Sequence, residues 1–383
     1  MRRIISLLLL SLLWTVATAQ TPEPVVSLRE KMLSPAAYRA LAQQWKDYME
    51  RHGESAEGYV NLAQAYRYAG EAKDTYLPFY AKAVELGPTY ARALDLYACQ
   101  LWTHGNAADV ARATEMFERA RTADPTYGDV LYSLYGLHTC TGRVGRAYET
   151  AREMYERQLI HTPVWDFGYN ILAGLPEGAV LVTNGDNDTY PLVSLQAGRG
   201  FRTDVTVLNQ SLLGCPAYAN AMREQHPDWF PEISKDVEKG PFSGALAVIR
   251  DLVKTRRRPV YISLTVPFDR LGSARSLTIE GLCARVDGLT GSSERTDYKK
   301  TLALFRDTYR LDSATDWTYP WDLRTAEQKL LTNYLHVLAR AAEDAREAGD
   351  GESAGRLAEI GISIAKFHGE TSIQQHLEEL AAR

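Results

Sequence analysis

Apolar residues recur every three to four positions through most of the first 160 residues, and Gly or Pro punctuates the intervals between these runs. That period belongs to helices with one buried stripe. Ser34 before Pro35 predicts an N-cap with proline in the first turn, opening a helix through Tyr38, Leu41, Trp45 and Tyr48. Three units of one design follow. In the first, Tyr59, Leu62, Ala63 and Tyr66 lead through Gly70 to Tyr80, Ala83 and Pro88. In the second, Leu94, Tyr97, Ala98 and Leu101 lead through Gly105 to Ala113, Phe117, Ala120 and Pro125. In the third, Leu131, Leu134, Tyr135 and His138 lead through Gly142 to Ala147, Ala151 and Met154.

The period changes after Pro163. Short β-type runs at 179–183 and 205–208 flank a helix at 190–197, an order that predicts a parallel pair with a crossover. A helix at 242–254, with Leu246, Ile249 and Val253 on one face, precedes strands at 260–266 and 277–286. Helices return at 298–309, 325–348 and 352–367, the last two paired across Gly349-Asp350-Gly351. The three units before Pro163 resemble tetratricopeptide repeats, which place large residues on a first helix and small ones where a second helix touches it. The predicted fold class is therefore α + α/β. Tetratricopeptide-like repeats at 34–160 precede a small Rossmann-like α/β domain at 165–290 and a helical, repeat-like region at 298–383 with a C-terminal hairpin.

The N-terminus has a different character. Arg2 and Arg3 precede an apolar run at 4–14, and Ala17 and Ala19 stand two apart before Gln20, which predicts a signal peptide at 1–19 cleaved near Ala19. As a helix that run would reach about 17 Å, against roughly 30 Å for a hydrocarbon core. The expected product is exported, periplasmic or extracellular, and soluble, with no transmembrane segment in the mature chain. A net charge of -5 and a pI near 6.0 leave no footprint for nucleic acid. The one dense basic run, Arg256 to Arg258, fits a solvated helix end. Cys99, Cys140, Cys215 and Cys283 form no metal-ligand pattern; three pairings are open, and four small buried side chains are the simplest expectation.

Candidate chemistry concentrates at the end of the first strand, in Thr183-Asn184-Gly185-Asp186-Asn187-Asp188-Thr189-Tyr190-Pro191-Leu192. Ligands of open α/β sheets bind beyond the carboxyl ends of strands, where the next helix offers free N–H groups. The candidate ligand-binding residues are Asn184, Asp186, Asn187, Asp188 and Thr189, with Asn209 after the second strand and Glu280 in a later one. Asp186 and Asp188 are also the candidate metal ligands, since a divalent cation such as Mg²⁺ prefers anionic oxygen. A structural assignment competes with this: Asp188 or Thr189 caps the helix, Asp186 makes an Asx turn, and Pro191 sits in the first turn. Glu280 is expected at a solvent-facing edge or in the same cleft as Asp186. Trp317, Tyr319 and Trp321 form an aromatic loop suited to clamping domains or stacking on sugars.

Three longer strings carry a second resemblance. The stretch from Pro163 to Asn170, the run from Thr183 to Leu192 and the stretch from Asp204 to Leu213 resemble the soluble C-terminal part of multi-spanning membrane proteins similar to protein O-mannosyltransferases. Arg258-Pro259-Val260-Tyr261-Ile262 and Glu280-Gly281-Leu282 look like the same part. Val193 and Ser194 depart from it, standing where bulky aromatic residues are expected. The resemblance implies a freestanding accessory domain without the transferase half. The expected function is thus an exported interaction protein that holds a protein or peptide partner on its repeats and a glycan or small polar ligand on its α/β domain. It would serve cell-envelope glycan or glycoprotein processes. The alternative is a metal-assisted carbohydrate-active enzyme using Asp186 and Asp188.

Overall fold

The computed structural model describes residues 21–104, 106–227, 241–255, 257–268, 275–315 and 326–382. The predicted signal peptide, Gly105, Arg256 and the aromatic segment from Asp316 to Asp322 lie outside the described residues, as do the side chains of Phe242 and Leu246. By its contacts the chain divides into two compact units, one of residues 21–25 with 33–88 and one of residues 26–32 with 89–382. The boundary expected near 160 lies inside the second unit.

In the first unit, Ser34 caps α1 (Pro35–His52) by accepting from the N–H of Ala37 at 3.2 Å, and the helix buries Tyr38, Leu41, Trp45 and Met49. Ser55 does the same for α2 (Ala56–Tyr68), which packs between α1 and α3 (Lys73–Leu86). Trp45 and Tyr80 are the largest fully buried side chains of this unit. Buried Asn61 ties the incoming chain to α2, accepting from the N–H of Val25 at 2.8 Å.

The second unit continues with paired helices, α4 (Ala91–His104) on α5 (Ala107–Ala123) and α6 (Asp129–Cys140) on α7 (Val144–Glu156). Pro163 does not break the helical pattern. It occupies the first turn of α8 (Thr162–Gly174), a helix that the loss of periodicity concealed. The sheet follows: β1 (Val180–Thr183), α9 (Asp186–Arg199), β2 (Thr206–Asn209), α10 (Pro216–Gln225), α11 (Pro241–Thr255), β3 (Val260–Ser263), β4 (Arg275–Glu280), β5 (Cys283–Gly288) and β6 (Ser292–Thr296). Its order is β2-β1-β3-β5-β4-β6. β1 is parallel to both β2 and β3, so the expected parallel pair with a helical crossover is present. The expected single strand at 277–286 is two strands, antiparallel and joined by a tight turn at Gly281 and Leu282. Gly281 has φ +61°, and a side chain there would meet Leu304 at 2.8 Å and the Tyr309 hydroxyl, so both backbone and space call for glycine. An apolar run without an internal Pro or Asn hides such a turn from a period-based reading.

The chain closes with α12 (Tyr298–Asp307), the short α13 (Asp312–Thr315), α14 (Ala326–Glu347), α15 (Gly351–His368) and α16 (Thr371–Ala382). The hairpin of α14 and α15 is as expected; α16 adds a third helix packed on both. Tyr334 of α14 is fully buried against Phe167 of α8 and Phe305 of α12, and Asn170 of α8 donates to its hydroxyl at 2.8 Å. Cys140 and Cys215 form a disulfide that links the end of α6 to the start of α10 across 75 residues, whereas Cys99 and Cys283 are not disulfide-bonded. The expectation of four reduced cysteines is thus corrected: the two partners come from segments that only the tertiary fold brings together. Among the described residues no helix is long and apolar enough to cross a membrane.

Candidate functional site

Five polar side chains form one row across the carboxyl end of the sheet. Asn209 pairs with Thr183, Ser263 pairs with Cys283, and Cys283 pairs with Glu280. Thr183 and Ser263 each follow a registered pair, Val182 with Ile262, so the row runs unbroken over β2, β1, β3, β5 and β4. Paired residues point to the same face, so the five share one. All five are buried.

The row receives the first turn of α9. Thr189 shares a hydrogen bond with Thr183 at 2.6 Å and accepts another from Asn209 at 3.0 Å. Asn209 also donates to the carbonyl of Gly185 at 3.0 Å and accepts from the N–H groups of Ser211 and Leu212, which fixes the turn after β2. The sequence predicts a cap at Asp188 or Thr189, but the helix begins earlier: Gly185 is the N-cap and Asp188 stands third in the helix. Its carboxylate reaches back to accept from the N–H groups of Asn184 and Gly185, both at 2.8 Å, and from the Thr265 hydroxyl. Thr265 is bonded in turn to Ser263 at 2.8 Å. Pro191 accordingly lies in the second turn, where it packs on α8; a side chain on Gly168 would stand 2.8 Å from it.

Between β1 and β3 the chain leaves the sheet in opposite directions, which makes this the topological switch point where ligands of open α/β sheets bind. Here the crevice is bridged by the contact of Asp188 with Thr265. Burial pushes the Asp188 carboxyl above the usual carboxylate range, and its three hydrogen bonds only partly offset this. The Cys283 thiol is pushed up by burial and by the nearby Asp188 and Glu280 carboxylates, so it stays protonated.

The structure separates the other predicted residues. Asp186 and Asp188 face different partners: the Asp186 side chain is 53% exposed and lies 3.6 Å from Arg29, which itself bonds Asp129 at 3.0 Å and stacks on Tyr132. Asn184 is bonded through its side chain to Gln210 and through its carbonyl to Ser211. The Asn187 side chain has no hydrogen bond among the described residues. Glu280 is not at a solvent-facing edge. It is buried and held by Arg285 at 2.7 Å, by Tyr261 at 2.7 Å and by Lys300 of α12. Among the described residues no three His, Cys, Asp or Glu side chains gather as a metal set.

Sequence reasoning missed Ser263, Thr265, Gln210, Lys300 and Arg29. Strand position could have flagged Ser263 and Gln210, which end or follow a strand. Nothing local marks Thr265, Lys300 or Arg29 as neighbours of the Thr183–Leu192 string.

The site and fold thus define an α + α/β protein with a polar switch point under the first turn of α9. Residues 164–231 match a known domain family, TMEM260-associated domain 2. The match begins within α8 and contains β1, α9, β2 and α10, one side of the switch point; β3 and Thr265 lie outside it. No curated protein matches the chain.

Proposed function

We propose that this chain is an exported binding protein, an accessory factor of cell-envelope glycan or glycoprotein processes. Its paired helices act as tetratricopeptide-like repeats that hold a protein or peptide partner, and the first turn of α9 holds a small polar or glycan ligand. One observation carries the ligand half: Asp188 is spent on bracing the switch point, while in the same first turn of α9 Asp186 is exposed and the half-buried Asn187 side chain has no hydrogen bond among the described residues. The matched domain family, together with the likeness of these strings to the soluble part of O-mannosyltransferase-like membrane proteins, supports a setting in glycan chemistry. The Cys140–Cys215 disulfide is in keeping with an oxidising compartment.

Melting temperature tests the proposal. A panel of neutral mono- and disaccharides should contain members that raise the melting temperature of the parent in proportion to RT ln(1 + [L]/Kd). Asn187→Ala should abolish the rise without altering the unliganded melting point. Divalent cations should move neither the parent nor Asp186→Asn. A shift with Mg²⁺ or Mn²⁺ that both Asp186→Asn and Asp188→Asn abolish would overturn the proposal in favour of the metal-assisted enzyme. No shift with any sugar would remove the ligand half. Asp188→Asn is itself expected to cost about 1–3 kcal/mol, because an amide nitrogen would face a backbone N–H that now has an acceptor.

A further inference from the structure

The paired helices of the second unit enclose a polar pocket away from the sheet. It has a volume of about 270 Å³ and lies between α5, α6 and α7. Its wall contains no apolar residue: charged side chains of α5 and α7 surround His138 of α6 and Thr150 of α7. His138 is 4% exposed, and its Nδ1 is buried without a hydrogen-bond partner. Burial holds this imidazole below its ordinary value; Glu118 opposes the shift and Arg143, Arg146 and Arg121 add to it, so the ring is neutral near pH 7. A buried ring nitrogen left without a partner is the exception in a folded chain, and here it belongs to a side chain that lines a pocket. The Thr150 hydroxyl donates to the carbonyl of Arg146 at 2.8 Å and keeps its lone pairs for another donor.

The charges of the wall are matched. Arg121 bonds Glu153 at 2.5 Å, Arg146 bonds Glu149 at 3.1 Å, and Arg152 lies 3.7 Å from Glu156. Arg157 also meets Glu153, at 3.4 Å. Glu118, the remaining glutamate of the wall, makes no ion pair among the described residues. With Arg157 included, four arginines thus face four glutamates, and a ligand of net charge would upset that balance. An apolar or ring-shaped ligand would find none of the apolar and aromatic wall on which such molecules rest. A small zwitterion suits both conditions. Arg121 and Arg146 each bond their glutamate through one nitrogen, which leaves further N–H donors of the guanidinium for a carboxylate. An ammonium has three donors and no acceptor, the complement of Glu118, Thr150 and a neutral imidazole nitrogen.

We propose that this pocket binds a free α-amino acid, its carboxylate toward Arg121 and Arg146 and its ammonium toward Glu118 and His138, at a site separate from the switch point. The full chain is titrated by calorimetry with the free amino acids, and with ethylammonium and acetate as probes of either charge alone. At least one amino acid should bind, and each single-charge probe should bind at least about tenfold more weakly. Glu118→Gln, which removes charge from a side chain with no ion pair to lose, should weaken amino-acid binding at least about tenfold. His138→Phe should weaken it as much and leave the unliganded melting temperature unchanged or higher, because a ring of similar size replaces an unsatisfied nitrogen. Should His138→Phe fail to fold, Glu118→Gln decides alone. Glu352→Gln, which removes the same charge from an exposed pair on α15, should leave binding unchanged. The proposal is overturned if no amino acid binds, if ethylammonium or acetate binds as tightly, if a folded pocket variant binds as the parent does, or if Glu352→Gln loses as much affinity as Glu118→Gln.

Discussion

At the carboxyl end of β3 each buried charge is met by groups of its own chain, Asp188 by two backbone N–H groups and Thr265, Glu280 by Lys300, Arg285 and Tyr261. At the amino end of the same strand, Arg250, Lys254, Arg257, Arg258 and the Arg285–Asp287 pair line an open cleft. A buried carboxylate must find its donors inside, because desolvation is too costly otherwise. Charges at an open cleft keep much of their hydration, so their pairing weighs less on the fold. A short sequence cluster is therefore a weak guide to a ligand: the acidic string looked like the binding chemistry, yet Asp188 is spent on the fold.

The largest effect should come from breaking the closed end on its cationic side. Removing both partners, Lys300→Met with Arg285→Met, strands Glu280 in the interior and should cost about 3–5 kcal/mol in urea unfolding. Adding Glu280→Gln should recover most of that loss. The asymmetry is physical: Lys300 and Arg285 are 36% and 38% exposed and can be hydrated, whereas Glu280 is 2% exposed and cannot. If the triple variant is no more stable than the double, Glu280 is not the buried charge that matters.

The disulfide comes next, since the 75-residue segment it closes contains β1, α9 and β2 and so the whole first half of the switch point. Loop entropy gives about 4 kcal/mol for a closure of that length. The Cys140→Ser/Cys215→Ser variant should lower the denaturant midpoint accordingly, while the reductant should have no further effect on it.

A third carboxylate sharpens the comparison. Asp95 is buried against the side chains of Tyr127 at 2.9 Å, Ser133 and Cys99, and burial pushes it up to about 6 from 3.8. The native state therefore binds this proton more tightly than the unfolded chain, so its contribution is full below pH 4 and is lost as pH rises through about 6. The slope should total roughly 3 kcal/mol at most. Asp95→Asn should flatten it and raise stability at pH 7. Unchanged pH dependence in that variant would assign the slope to another group. The smallest effect is expected at the open end, where Arg250→Gln/Lys254→Gln should change stability by less than about 0.5 kcal/mol.

Residue spacing alone determined the helical stripes, the cap at Ser34, the β1-α9-β2 crossover and the place of the densest polar cluster, because period, capping and strand-end chemistry are local properties of the chain. It also located α14 and α15 around a glycine turn. Only the tertiary structure decided that Pro163 opens α8, that 277–286 folds back at Gly281, and that Cys140 meets Cys215. Sheet order, likewise, decided the fate of the candidate site. β3 lies beside β1 although some eighty residues separate them, and that adjacency brings Thr265 to Asp188. It also places Cys283 and Glu280 in the same row as Thr183. No local pattern carries such information, because which strands become neighbours depends on the burial that their side chains achieve together, not on any one of them.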